Sequence, residues 1–142
     1  MSTVSSLLFR KGRTSISVSP DTSVMEALKL MAEKNIGSVI VIKDDQYLGI
    51  VTERDYSRKI ALKGKNSGIT TVSEIMSSDL PFVSPADSIE YCMELMTTKN
   101  IRYMPVFENN KLAGIVSMSD VVKETILAQK ETINQLQNYI QS

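Results

Sequence analysis

GIVTERD, at residues 49–55, returns as GIVSMSD at residues 114–120. Both stretches keep a glycine, two apolar residues, a hydroxyl and, three residues after the hydroxyl, an aspartate, while the positions between change. Extending the match in both directions, VSPDTSVMEALKLMAEKNIGSVIVIKDDQYLGIVTERD lies over VSPADSIEYCMELMTTKNIRYMPVFENNKLAGIVSMSD without a gap. Val18 falls on Val83, Pro20 on Pro85, Asn35 on Asn100, Gly49 on Gly114 and Asp55 on Asp120, all at an offset of 65 residues. The chain is a tandem duplication, and its fold is that of one repeat made twice.

Each copy reads strand, helix, strand, strand, helix. Ser23 is an N-cap with Glu26 three residues on to complete a capping box; Ser88 holds the matching position without the box, because Tyr91 replaces the acid. Val24, Ala27, Leu28 and Met31 recur at helical spacing, as do Ile89, Cys92, Met93 and Met96, so each helix buries one face and Cys92 is a packed thiol. The apolar runs SVIVI and MPVF meet polar turns, KDDQ and ENNK, before YLGIVT and LAGIVS, the pattern of a hairpin ending in a buried strand. Pro105 has no N–H for a ladder, which places its strand at an edge or a bulge with backbone left for another contact. A second helix follows each aspartate. The expected class is α+β: residues 1–14 an N-terminal extension, 15–63 the first motif, 64–75 a linker, 76–126 the second motif and 127–142 a C-terminal helix.

Composition narrows the function. The 142 residues, 42% of them hydrophobic, are enough for a real core, and 16 basic residues balance 16 acidic ones. A neutral chain lacks the basic surplus of a nucleic-acid binder. With no histidine and one cysteine, it has neither a zinc site nor a histidine-based catalytic pair, and no intrachain disulfide. Leu7, Leu8 and Phe9 are too short an apolar patch for a signal-peptide core, and no run reaches the roughly 20 residues of a membrane span. A cytoplasmic protein that is not an enzyme is expected.

The order of elements, the blocks SPDTSVMEALKLMAEKNIGSVIVI and SPADSIEYCMELMTTKNIRYMPVF, and the G-h-h-(T/S)-x-x-D ending of each copy resemble a tandem pair of cystathionine-β-synthase-type (CBS) domains. The likeness spans about residues 15–125 and is closest to small stand-alone bacterial proteins made of this pair. It implies a pseudo-twofold disc of duplicated β-α-β-β-α motifs (a Bateman module) with two clefts for adenosine-containing ligands: AMP, ADP, ATP, NAD or S-adenosylmethionine. It also implies a homodimer and a regulatory output to an unidentified protein, without catalysis.

The residues fit that implication. A strand ending in Thr52 or Ser117 and running into a helix offers N–H groups and the positive end of the helix dipole to a phosphate. Asp55 and Asp120, in the first helical turn, suit the two hydroxyls of a ribose. Arg54 and Arg58 lie four apart on one helix face beside Lys59, so the first copy offers cations to a di- or triphosphate. Met118, Ser119, Lys123 and Glu124 take the corresponding places in the second copy, and the two sites should differ in charge preference. In the family, backbone at the positions of Ile16 and Pro81 wraps the adenine edge. Gly37 and Ser38 correspond to Arg102 and Tyr103, where a guanidinium and a phenol suit phosphate contact and base stacking. The competing reading is plain helix capping by Thr52 with Asp55 and Ser117 with Asp120; against it, a capping box prefers the longer Glu or Gln. A ligand-independent interaction or dimerisation module is the alternative function. Finally, Ile126, Ile133, Leu136 and Ile140 form a short apolar seam on a polar helix, expected to pack across a dimer or onto its own module.

Overall fold

The structure, a computed structural model, describes residues 2–12 and 15–141. The chain forms two compact units: one is Thr14–Leu80, and the other joins Met1–Arg13 to Pro81–Ser142.

In the first unit, β1 (Ser17–Val18), α2 (Val24–Lys34), β2 (Ser38–Lys43) and β3 (Gln46–Thr52) follow one another, and the sheet order is β1-β2-β3 with β1 parallel and β3 antiparallel to β2. The side chain of Ser23 accepts the Glu26 N–H at 3.1 Å, but the reciprocal half of the expected box is missing. Glu26 turns instead to Lys29, at 3.7 Å on the exposed face. Asn35 ends α2 in the left-handed conformation (φ 55°), which asparagine tolerates better than most residues. Asp44 and Asp45, with φ of 52° and 62°, form the tight hairpin turn whose twist matches the strands. β3 passes directly into α3 (Glu53–Tyr56), a π turn (Ser57–Ala61) continues it, and a 3₁₀ turn (Val72–Glu74) follows. Val24, Ala27, Met31, Val39, Val41, Val51, Ile60, Val72 and Ile75 make the core.

The second unit repeats these devices. Ser88 caps α4 (Ile89–Lys99) without a box, Asn100 closes it at φ 53°, and Asn109 and Asn110 turn the hairpin of β4 (Tyr103–Glu108) and β5 (Lys111–Ser117). Both hairpins shift register at matching places, between Val41 and Ile42 and between Val106 and Phe107. The first strand does not repeat. Ile40 N–H donates to the Ile16 carbonyl at 3.0 Å, whereas its counterpart Pro105 has no N–H, and the expected strand shrinks to a single bridge between Val83 and Val106. Residues 127–141 are not a separate helix; they continue α5 (Met118–Gln141), which starts at the GIVSMSD ending.

α1 (Val4–Lys11) explains the unexpected grouping of the chain's start with its second half. STVSSLL at residues 2–8 and TTVSEIM at residues 70–76 are a further repeat, and each completes the motif of the opposite copy. Val24 N–H donates to Thr70 O and Val72 N–H to Thr22 O, both at 2.8 Å; in parallel, Ile89 N–H donates to Ser2 O at 3.2 Å and Val4 N–H to Asp87 O at 2.9 Å. The two conserved glycines of the opening motif make room for these segments. A Cβ on Gly49 would stand 2.8 Å from the Ser77 carbonyl oxygen, and one on Gly114 would stand 2.9 Å from a δ-methyl of Leu8. Val4, Leu7 and Leu8 are accordingly buried in the core with Val83, Ile89, Cys92, Met96, Met104, Val106, Val116 and Val121.

Candidate functional site

At the first ending, β3 and α3 are joined by a reciprocal cap. Thr52 N–H and Thr52 Oγ1 both donate to Asp55 Oδ2, at 3.0 and 3.1 Å, and Asp55 N–H donates back to Thr52 Oγ1 at 3.1 Å. The short aspartate closes this box, so the preference for Glu or Gln does not argue against capping here. The other carboxylate oxygen, Oδ1, accepts from Ser77 Oγ and faces Lys59 Nζ, each at 3.0 Å. Lys59 also donates to the Ile75 carbonyl at 2.8 Å, tying the π turn to the 72–77 segment. Asp55 is 6% exposed, and about four acceptor positions, the capacity of a carboxylate, are all engaged. Ribose hydroxyls reach it only if Ser77 or Lys59 gives way.

The second ending has the same backbone and different electrostatics. Ser117 N–H donates to Asp120 Oδ2 at 3.0 Å and Asp120 N–H to Ser117 Oγ at 3.1 Å. The cation on this carboxylate comes from α1: Lys11 Nζ lies 2.6 Å from Oδ2 and also donates to the Ile115 carbonyl at 2.9 Å. Glu124, at the position of Lys59, is buried and faces Arg10 Nε at 3.3 Å, an ionic contact without the alignment of a hydrogen bond. Arg10 reaches Glu131 as well, at 3.4 Å. Burial pushes the Asp120 carboxyl up, but the Lys11 ammonium and the Ser117 N–H outweigh it and hold the group below its ordinary 3.8. Its side chain is 21% exposed, against 8% for Asp55. The contacts found for Asp120 converge on Oδ2.

The sheets bring the remaining candidates to these endings. Ser38 pairs with Thr52 and Tyr103 with Ser117, while Glu53 N–H donates to Gly37 O at 3.1 Å and Met118 N–H to Arg102 O at 2.8 Å. Gly37 and Ser38 thus stand at the first ending, and Arg102 and Tyr103 at the second. Ile16 lies two rungs along, bonded to Ile40, and Pro105 occupies the matching rung of β4 opposite Ile115. Pro81 precedes the single bridge at Val83, and no N–H exists at residue 105 to meet a carbonyl there. Arg54 is half-buried; Arg58, in the π turn, and Ser119, on the first turn of α5, are exposed.

Lys11, Arg10, Ser77 and Lys59 as the direct partner of Asp55 are additions to the sequence reading. Lys11 and Arg10 had a signal, since STVSSLL and TTVSEIM are legibly related and imply that residues 2–12 serve the second copy. Cys92 is buried at α4, and burial pushes its thiol up to about 11, in keeping with a packing role.

Comparison with known proteins agrees with this architecture. The CBS domain family matches the chain twice, over residues 12–62 and 72–126. The mitochondrial CBS domain-containing protein CBSX3 of Arabidopsis thaliana is 36% identical over 148 residues, covering 98% of this chain and 72% of the relative. A crystal structure of a CBS-domain-containing protein from Agrobacterium tumefaciens superimposes with a TM-score of 0.83 at 39% identity, covering 87% of this chain and 99% of the other. The CBS domain pair of MJ0100, solved with 5′-methylthioadenosine and S-adenosyl-L-methionine, shares the fold at a TM-score of 0.76 and 23% identity, with 87% and 99% covered. Among the described residues, no helix is long and apolar enough to cross a membrane. With two motifs, a C-terminal helix and relatives of the same build, the chain belongs to the CBS-domain family, as a tandem pair of the regulatory, ligand-binding kind.

Proposed function

We propose that this chain is a cytoplasmic regulatory module that binds an adenosine-containing nucleotide, AMP, ADP or ATP before NAD or S-adenosylmethionine, and passes its occupancy to a partner protein without catalysing a reaction. The observation that carries this reading is the second ending. Asp120 is an ionised, part-exposed carboxylate at a helix start, with its hydrogen bonds gathered on one oxygen. Among the described residues, that leaves its Oδ1 edge for ribose hydroxyls, with Lys11 on the carboxylate and Arg102, whose carbonyl accepts from Met118 N–H, at the same ending to serve a phosphate. Tyr103, paired with Ser117, supplies a ring for the base. The first ending, with Arg54 and Arg58 on its helix, takes a ligand only by displacing Ser77 or Lys59 from Asp55, so ligand entry there carries a conformational consequence. The ligands of MJ0100 support adenosine chemistry for the fold. Neutral overall charge argues for neither nucleic acid nor an anionic membrane as partner.

The test is a thermal melt with AMP, ADP, ATP, NAD and S-adenosylmethionine on the wild type, Asp55→Ala and Asp120→Ala. A ligand at 100 times its Kd stabilises by about 2.7 kcal/mol, a shift of roughly 5–10 °C for a chain of this size. The expected result is a shift with one of these ligands that Asp120→Ala removes. A flat panel would instead favour the ligand-independent interaction module.

A further inference from the structure

The exposed seam of α5, at Ile126, Ile133, Leu136 and Ile140, answers to the expected dimer. The first unit has an apolar surface with no such assignment. Three large apolar side chains are exposed among its described residues: Met25 at 39%, Leu62 at 81% and Ile69 at 82%. Two of them sit on the loop that leaves the π turn, and the third stands beside it, because Met25 N–H donates to Ser67 O at 2.9 Å. The loop is held in shape. Leu62 N–H donates to Ser57 O and Lys65 N–H to Ile60 O, each at 3.0 Å. Asn66 gathers the far side, its Oδ1 accepting from Gly68 N–H at 2.7 Å and its carbonyl from Thr70 Oγ1 at 2.8 Å. Ordering this loop costs conformational entropy that no buried side chain at residues 61–66 offsets, since all six are exposed.

Its charge has one sign. Residues 56–69 carry Arg58, Lys59, Lys63 and Lys65 and no acid. Lys59 is held by Asp55, whereas Arg58, Lys63 and Lys65 are exposed and form no ion pair among the described residues. Acids on the adjoining turns are engaged locally: Glu26 faces Lys29 at 3.7 Å, and Glu74 accepts from Thr71 N–H at 2.8 Å and attracts Lys65 only from a distance. We infer that this loop, with Met25, is the docking surface for an acidic protein segment that carries apolar anchors. Its carboxylates meet Arg58, Lys63 and Lys65, and its apolar side chains cover Leu62 and Ile69. A second copy docked through the same loop would set these cations against their like. An extended anionic surface such as a membrane attracts through net charge, which is zero here, whereas a protein segment needs complementarity only over the contact. The inference is independent of the nucleotide reading.

The experiment titrates a fluorescein-labelled peptide, a glutamate-rich helix with leucine at every third or fourth position, with the full-length chain. Wild type is compared with the double variant Leu62→Ser, Ile69→Ser and with Lys63→Glu; the same peptide with lysine for glutamate, and vesicles rich in phosphatidylserine, are the competing probes. The expected result is a wild-type Kd of about 100 µM or tighter, weakened at least about 10-fold in each variant and weakened again by added salt. All three positions are exposed, so native melts are expected, and Lys63→Glu tests the charge without touching the apolar pair. A wild type that ignores the acidic peptide, binding that survives the double variant, equal binding of the lysine peptide, or wild type that sediments with the vesicles instead would each overturn the inference.

Discussion

The two strand-to-helix endings share their backbone hydrogen bonds and differ in where the cation comes from. At Asp55 it comes from the same helix, four residues on, through Lys59; at Asp120 it comes from a segment more than a hundred residues away in sequence, through Lys11, while the Lys59 position has become Glu124 and has acquired Arg10 as its counter-ion. Duplication has preserved a positive charge on the carboxylate, not the residue that provides it. The reason is physical: a part-buried carboxylate without a compensating charge is costly, and any ammonium placed within about 3 Å meets the need. The exchange also redistributes the contacts: among the described residues, Lys59 and Ser77 take Oδ1 of Asp55, whereas the contacts of Asp120 converge on Oδ2.

This comparison breaks most sharply at the segments that complete each copy. Leu8→Ala removes a fully buried side chain and should cost about 2–5 kcal/mol, read as a lower urea midpoint. Met76→Ala, at the part-buried counterpart, should cost less. Cys92 reports which unit opens: Leu8→Ala should accelerate labelling of Cys92 by a thiol reagent, and Met76→Ala should not. Equal acceleration by both would mean that the copies do not open separately.

Next in size are the glycines. Gly49→Ala drives a Cβ against the Ser77 carbonyl oxygen, whose residue is fixed by two backbone bonds to Ile50, of 2.8 and 3.0 Å, and should cost about 1–3 kcal/mol. Gly114→Ala meets only a leucine methyl that can rotate, and its cost should fall under about 1 kcal/mol. A reversed order in thermal melts would show that the α1 contact is the stiffer of the two.

The smallest effect separates the charges. Because the folded pKa of Asp120 lies below its ordinary 3.8, the stability it supplies is complete above that value and is lost as pH falls through the folded one. Asp120→Asn should therefore cost about 1 kcal/mol near pH 7. The gap to wild type should close on acidification below 3.8. A gap that stays constant with pH would assign the loss to the cap geometry rather than to the Lys11 pair.

Much of this was legible in the sequence. The turns at Asp44–Asp45 and Asn109–Asn110, the asparagine helix stops and the helix faces follow from local chemistry, which a repeat presents twice. The candidate residues at both endings come together because sheet register forces Ser38 onto Thr52 and Tyr103 onto Ser117. What escaped was non-local. The Ser77 hydroxyl reaches Asp55 across 22 residues and Lys59 reaches the Ile75 carbonyl across 16, and the loss of the first strand in the second copy needed the knowledge that Pro105 stands where Ile40 donates. The role of α1 was hidden because its repeat partner, at residues 70–76, lies outside the gap-free alignment: the offset there is 68 rather than 65.

The crossed assignment of these leading segments also orders events during synthesis. Thr14–Leu80 is continuous, so this unit has all its residues as soon as Leu80 has cleared the ribosome. Its sister unit draws on residues that precede Thr14 as well as those that follow Leu80, and cannot close until β5 and the start of α5 emerge. At about 5–20 residues per second, Val4, Leu7 and Leu8 wait several seconds as an uncovered apolar segment, open to chaperone capture in that interval.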